Sequence, residues 1–150
     1  MSKGFPLQPL LDLSKTRLDE ATRTLGELVA QENEGQRKLE MLQNYRAEYL
    51  ERFQYAARSG MGPEAWRNYT AFMARIDEAI AAQATQLDSA RQKTDAGKQQ
   101  WMHERSRNKA FDTLQERFLA AEMRKQAKAE QRQADEHTAN RHRRLSEEDG

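Results

Sequence analysis

Apolar residues recur every three or four positions along this chain until about Lys125, with one interruption at Ser59-Gly60-Met61-Gly62-Pro63. Before the break, Leu11, Leu18, Leu25, Leu39 and Phe53 share one heptad position, and Ala21, Leu28, Leu42, Tyr49 and Ala56 share the other. A stripe of this period lets a helix bury one seam against a second helix. It predicts a first helix over about residues 7–58, roughly 75 to 80 Å long at 1.5 Å per residue. Residues 1–6, with Gly4 and Pro6, read as a flexible lead.

The break itself is built as a turn over residues 59–62. Gly60 suits the left-handed conformation that ends a helix, and Pro63 suits the first position of the next, where its missing N–H has no partner to lose. With Gly62 as N-cap, Met61 and Trp66 have the spacing of a hydrophobic staple. The stripe then resumes with Trp66, Met73, Ile80, Leu87 and Trp101 on one position, and Tyr69, Ile76, Ala90, Phe111 and Phe118 on the other. Its phase shifts after Trp101, where Leu114 and Ala121 join Phe111 and Phe118. The second helix is therefore expected over about 63–125, followed by a charged, frayed or disordered tail over 126–150.

If the chain folds back about Met61, residues whose numbers sum to 122 face each other. Ala56 then meets Trp66, Gly35 meets Leu87, Leu25 meets Gly97 and Ala21 meets Trp101. Each layer pairs a small residue with a large one, which keeps the spacing of a two-stranded seam even. Phe53 with Tyr69, Leu42 with Ile80, Tyr49 with Met73 and Leu11 with Phe111 continue it. Three layers are polar: Glu32 opposite Ala90, Leu18 opposite Glu104 and Ser14 opposite Asn108. The predicted fold is all-α, a long antiparallel two-helix coiled coil forming one helical hairpin of residues 7–125.

Composition narrows what such a hairpin can do. One third of the 150 residues are charged, and the mean hydropathy is strongly negative. A seam between two helices offers no water-excluded cleft in which carboxylates such as Asp19 and Glu20 could acquire catalytic pKa values. There is no cysteine, and no glycine-rich phosphate loop followed by Lys-Ser or Lys-Thr. His103, His137 and His142 are not arranged as a metal pair, since the last two are five residues apart. The expectation is a protein that is not an enzyme and uses no cofactor or metal. No apolar run approaches the roughly 18 residues of a membrane span, so a cytoplasmic protein is expected.

The net charge of +1 gives the whole molecule no strong field. Lys and Arg outnumber Asp and Glu after Trp101, notably at Arg124-Lys125, Lys128, Arg132 and Arg141 to Arg144, but glutamates are interleaved and stacking aromatics are missing. A solvated face is expected there and not a nucleic-acid site. A sharper surface signal lies near the turn. Heptad bookkeeping puts Tyr45 on the first helix and Phe72 and Ala79 on the second at flanking positions, beside Leu42, Tyr49 and Ile76. The strip reads either as a thickened seam or as a partner surface, with Lys38, Arg52 and Gln86 at its border.

These residues also carry a resemblance. Leu39-Glu40-Met41-Leu42 with Tyr45 and Tyr49, Gly60-Met61, Trp66-Arg67-Asn68-Tyr69 with Phe72, Ala79-Ile80 with Gln83, and Thr113-Leu114-Gln115-Glu116-Arg117 resemble the FliJ (FliJ/YscO-like) family of flagellar type III export proteins. The likeness spans about residues 10–120. It implies an antiparallel coiled coil similar to the central stalk of rotary ATPases, whose end carrying both termini enters the ring of the hexameric export ATPase, FliI-like, and promotes its assembly and activity. It implies a gate-facing patch for an FlhA-like export gate protein, carried over onto Leu42, Tyr45, Tyr49, Phe72, Ile76, Ala79 and Gln83. It implies further contact with the ATPase regulator and with substrate chaperones, at the cytoplasmic face of the inner membrane and without a membrane span. Lys38, where the family usually has glutamine, and Gln83, where histidine occurs, depart from its pattern.

Arg17, Arg23, Arg117 and Arg124 are picked for ring contact by position alone. An alternative from a different class is a general coiled-coil scaffold or substrate escort, or the stalk of a related virulence secretion system.

Overall fold

A computed structural model describes residues 4–149; residues 1–3 of the expected lead and Gly150 lie outside the described residues. Helix α1 runs over Gln8–Arg58 and helix α2 over Pro63–Glu148, packed against each other as an antiparallel hairpin, with no strand among the described residues. Gly60 sits at φ 100° and turns the chain out of α1, a conformation that glycine adopts without a Cβ penalty. The Gly62 carbonyl accepts the Trp66 N–H at 3.0 Å, which makes Gly62 the N-cap and Pro63 the first residue of α2. Arg58 in the last turn of α1 and Glu64 in the first turn of α2 complement the helix dipoles.

The chain divides into two compact units. The unit Asp19–His103 holds the turn and most of the seam, and in it Ala21, Ile76 and Leu87 are buried. Its register is the one the small-to-large pairing predicts. A Cβ on Gly35 would lie 3.4 Å from Leu87 Cδ1, and one on Gly97 would lie 2.7 Å from Leu28 Cδ1 and 3.6 Å from Leu25 Cδ1. The single hydroxyl proton of buried Thr94 is shared between the carbonyls of Ala90 in its own helix (3.0 Å) and Leu28 across the seam (3.3 Å), so the hydroxyl is satisfied. Trp101 Nε1 donates to Thr22 Oγ1 at 3.0 Å. The polar layer at Glu32 is bridged by Arg91, whose Nε lies 3.7 Å from Glu32 Oε1.

The other unit joins the chain up to Leu18 to the chain from Glu104 onward. Leu11 is fully buried, and one turn later buried Ser14 donates to the Leu11 carbonyl (2.7 Å) and accepts from Asn108 Nδ2 (2.9 Å). This polar layer is therefore hydrogen-bonded and fixes register, since shifting either helix would break the Asn108–Ser14 bond that crosses the seam. Phe5 packs on Phe118 with ring centroids 5.7 Å apart, and the Gln8 N–H bonds the Phe5 carbonyl at 3.1 Å. The described part of the lead is thus tied to the start of α1 by a hydrogen bond and to α2 by an apolar contact the heptad pattern does not include.

Helix α2 also runs beyond the end of its apolar stripe. From Met123 to Asp149 every residue is exposed, yet the helix continues to Glu148. Between Lys98 and Asp149 there is no Gly or Pro, and Ala, Gln, Lys, Arg and Glu dominate, all good helix formers. Local pairs such as Lys125–Glu122 and Gln131–Asp135 add small increments. Burial ends where the pattern predicts, whereas the helix does not, because propensity and burial are separate terms.

Candidate partner-binding surface

The surface near the turn is assembled on a ladder of aromatic rings. Phe53 lies against Trp66 (5.0 Å) and Tyr69 (5.3 Å), Tyr49 against Tyr69 (5.4 Å) and Phe72 (4.6 Å), and Tyr45 edge-on to Phe72 (6.4 Å). Tilted and edge-on rings at these separations are the favoured geometries for aromatic pairs. The ladder runs from the turn, alternates between α1 and α2, and ends at Tyr45, which is 45% exposed. Tyr49 faces Phe72 and Tyr69 and not Met73 alone, because flanking residues of one helix reach between seam residues of the other.

Of the seven predicted gate-facing residues, Ile76 is buried and belongs to the seam. Leu42, Tyr49 and Phe72 are half-buried and form a floor, while Tyr45 and Ala79 are exposed and offer contact. Gln83 is half-buried and spends its amide on the fold, donating to the Gly35 carbonyl at 3.1 Å. Beside it a shallow cleft is lined by Glu34, Lys38, Gln86 and neighbours, so Lys38 and Gln86 do share one edge. Arg52 lines a separate cleft with Glu48, Glu51, Tyr55 and Tyr69.

Electrostatics follow from this packing. Burial, followed by the neighbouring hydroxyls of Tyr69 and Tyr45, pushes the Tyr49 phenol pKa up. Arg46 crosses from α1 to Asp77 on α2 and grips its carboxylate with Nε and Nη2. That hydrogen bond holds the Asp77 carboxyl below its ordinary value and raises Arg46. The pair was not singled out by sequence reasoning, although its numbers sum to within one of the register that pairs the helices. Exposed Met41, read in the sequence only as part of the family resemblance, shares a cleft with Arg37, Asn44 and Tyr45.

The four arginines chosen for ring contact are all exposed, with Arg23 in the turn-bearing unit and Arg17, Arg117 and Arg124 in the other. His103, His137 and His142 are exposed as well. Among the described residues no group of His, Asp or Glu could hold a metal ion, and no helix is long and apolar enough to cross a membrane.

Comparison with known proteins shows which family the sequence matches. The sequence matches the family described as "Flagellar FliJ protein" over residues 2–147. It is 30% identical over 136 residues to the flagellar FliJ protein of Salmonella typhi, covering 91% of this chain and 92% of that one. It is 29% identical to the flagellar FliJ protein of Escherichia coli K12 with the same coverage. Among solved structures, one of a protein described as a YscO homologue from Chlamydia trachomatis superposes with a TM-score of 0.55 at 15% identity, covering 95% of this chain and 96% of that chain. That last likeness is one of fold.

Proposed function

The chain belongs to the FliJ family of flagellar proteins, and we propose that it acts as a stalk-like, non-enzymatic component of flagellar type III protein export, working at the cytoplasmic face of the inner membrane. In this reading the segments around Arg17, Arg23, Arg117 and Arg124 contact the hexameric export ATPase and promote its assembly and turnover. The strip of Leu42, Tyr45, Tyr49, Phe72 and Ala79 engages the export gate protein, with Gln83 fixing its edge. The ATPase regulator and substrate chaperones are further partners.

The observation that carries the reading is the aromatic ladder. It welds α1 to α2 near the turn and leaves Tyr45 and Ala79 as an exposed apolar edge beside a polar rim. A fixed apolar centre with a polar border is what a protein contact needs. At the ring, contacts that differ among the six ATPase subunits would bias their states unequally, since a ligand shifts an equilibrium only by its differential affinity. The test is to mix purified protein with its cognate ATPase and to measure ring assembly and ATP turnover. Stimulation that falls on changing Arg117 and Arg124 to Gln supports the reading. Absence of stimulation by the wild-type chain, with unfolded export substrates held instead, would move the assignment to an escort.

A further inference from the structure

In the unit holding the start of α1, a second apolar flank differs from the gate-facing strip in both residues and charge. Leu10 and Leu13 on α1 are 43% and 45% exposed, and Leu114 on α2 is 41% exposed. Leu10 and Leu13 line a shallow cleft between the helices with Ser14, Arg17, Arg107 and Phe111, and Leu114 follows Arg107 by one heptad on the same flank of α2. No carboxylate lines this cleft. Its two guanidiniums are exposed, and neither makes an ion pair or hydrogen bond with another described residue. The contrast with Arg46 and Arg91 is direct, because those cross the seam and are committed to Asp77 and to Glu32 and Gln36.

We infer that this flank is a docking site for an acidic amphipathic helix of a partner protein. The leucines would take apolar side chains spaced three and four residues apart, and Arg17 and Arg107 would receive carboxylates on the same helix. The guanidinium fork grips a carboxylate through two parallel N–H donors, and two exposed forks that are in no ion pair among the described residues are free to receive one. A partner helix with i, i+3 and i+4 apolar anchors can pack on this exposed row of leucines. A second copy of this chain is disfavoured as the occupant, because a two-fold contact on the same flank would bring four guanidiniums together. The site shares Arg17 with the ring contact proposed above and is distinguished from it by Arg107 and the three leucines, which that contact does not use.

The test uses the full-length protein and three synthetic helical peptides with one leucine stripe, flanked by Glu, by Gln or by Lys. Binding is followed by fluorescence anisotropy and by methyl NMR of the leucines. Expected are tightest binding of the Glu peptide, shifts at Leu10, Leu13 and Leu114, and about a tenfold loss in affinity for Arg17→Gln with Arg107→Gln. Those substitutions remove no internal ion pair or hydrogen bond, so circular dichroism should be unchanged, and Leu13→Ser should weaken all three peptides alike. Equal binding of the Glu and Gln peptides would overturn the charge assignment, and shifts at Tyr45 would overturn the location. Concentration-dependent self-association that broadens Leu10 and Leu13, or tighter binding to phosphatidylglycerol vesicles than to the Glu peptide, would replace the partner helix with a second copy or a lipid surface. ATPase stimulation is a separate readout, so loss of the ring reading leaves this result interpretable.

Discussion

A methyl group added at Gly35 would make ordinary contact with Leu87, whereas the same group at Gly97 would lie 2.7 Å from Leu28 Cδ1. Both positions are mid-helix, where replacing glycine by alanine gains about 0.5 to 1 kcal/mol of backbone preference. Gly35→Ala should therefore raise the thermal midpoint. At Gly97 the gain is opposed by displacing Leu28, and overpacking of a seam costs typically ~1–3 kcal/mol, so Gly97→Ala should be neutral or destabilising. Melting both variants by circular dichroism checks this, and equal stabilisation would mean that the Leu28 layer is slack. Titration adds a second prediction at this scale. Arg46 depresses the Asp77 pKa, so the contribution of the pair is present above about 3.9, the unfolded carboxyl value, and is lost as pH falls through the lower folded value. Tyr49 is raised, so its burial begins to count against folding as pH rises past about 10, where the unfolded phenol ionises first. Unfolding measured across pH should lose its acid limb partly in Asp77→Asn and its alkaline limb partly in Tyr49→Phe. Limbs unchanged in both variants would assign the pH dependence elsewhere.

At the level of elements, α2 carries a helical segment that nothing in the described structure packs against. The exposed stretch from Met123 to Glu148 is held by propensity and by local pairs, without the tertiary packing that supplies most helical stability in proteins. Hydrogen exchange should therefore be fast beyond about Lys125 and slow around Leu87 and Ile76. Removing residues 126–150 should change stability by no more than about 0.5 kcal/mol, the range expected for surface changes, whereas protection of this segment equal to that of the seam would require a contact the hairpin does not supply. The same segment marks where sequence reasoning stops. Heptad spacing and the glycine turn were enough to find the seam, because burial leaves a period in the sequence; hence Gly35 against Leu87, Ser14 against Asn108 and Phe53 against Tyr69 were all readable. An exposed helix leaves no such period. Nor does a pair like Arg46 with Asp77, which depends on long side chains reaching across a flank. The candidate surface was readable in composition, and its depth follows heptad position, with Ile76 on the seam buried and Tyr45 on the flank exposed.

For the molecule as a whole, the proposed gate-facing and ring-facing contacts use different residues, and they should be separable. The gate-side variant is best built from Tyr45→Ala with Ala79→Glu, because both positions are exposed while Phe72 is locked to Tyr49 at 4.6 Å. Removing an exposed aromatic anchor and placing a charge at the centre of an apolar contact should weaken binding to the purified gate protein at least tenfold, about 1.4 kcal/mol. Its helicity and its stimulation of the ATPase should stay near wild type. The ring-side variant, Arg117→Gln with Arg124→Gln, should do the reverse. In swimming assays each variant alone should impair motility, since export would need both contacts in one chain. The chain with all four substitutions should bind neither partner yet still melt like the parent, because neither set removes a buried side chain. If the gate-side variant also halves ATP turnover while remaining folded, the two contacts are energetically coupled. A double-mutant cycle over the four substitutions would then give the coupling free energy directly.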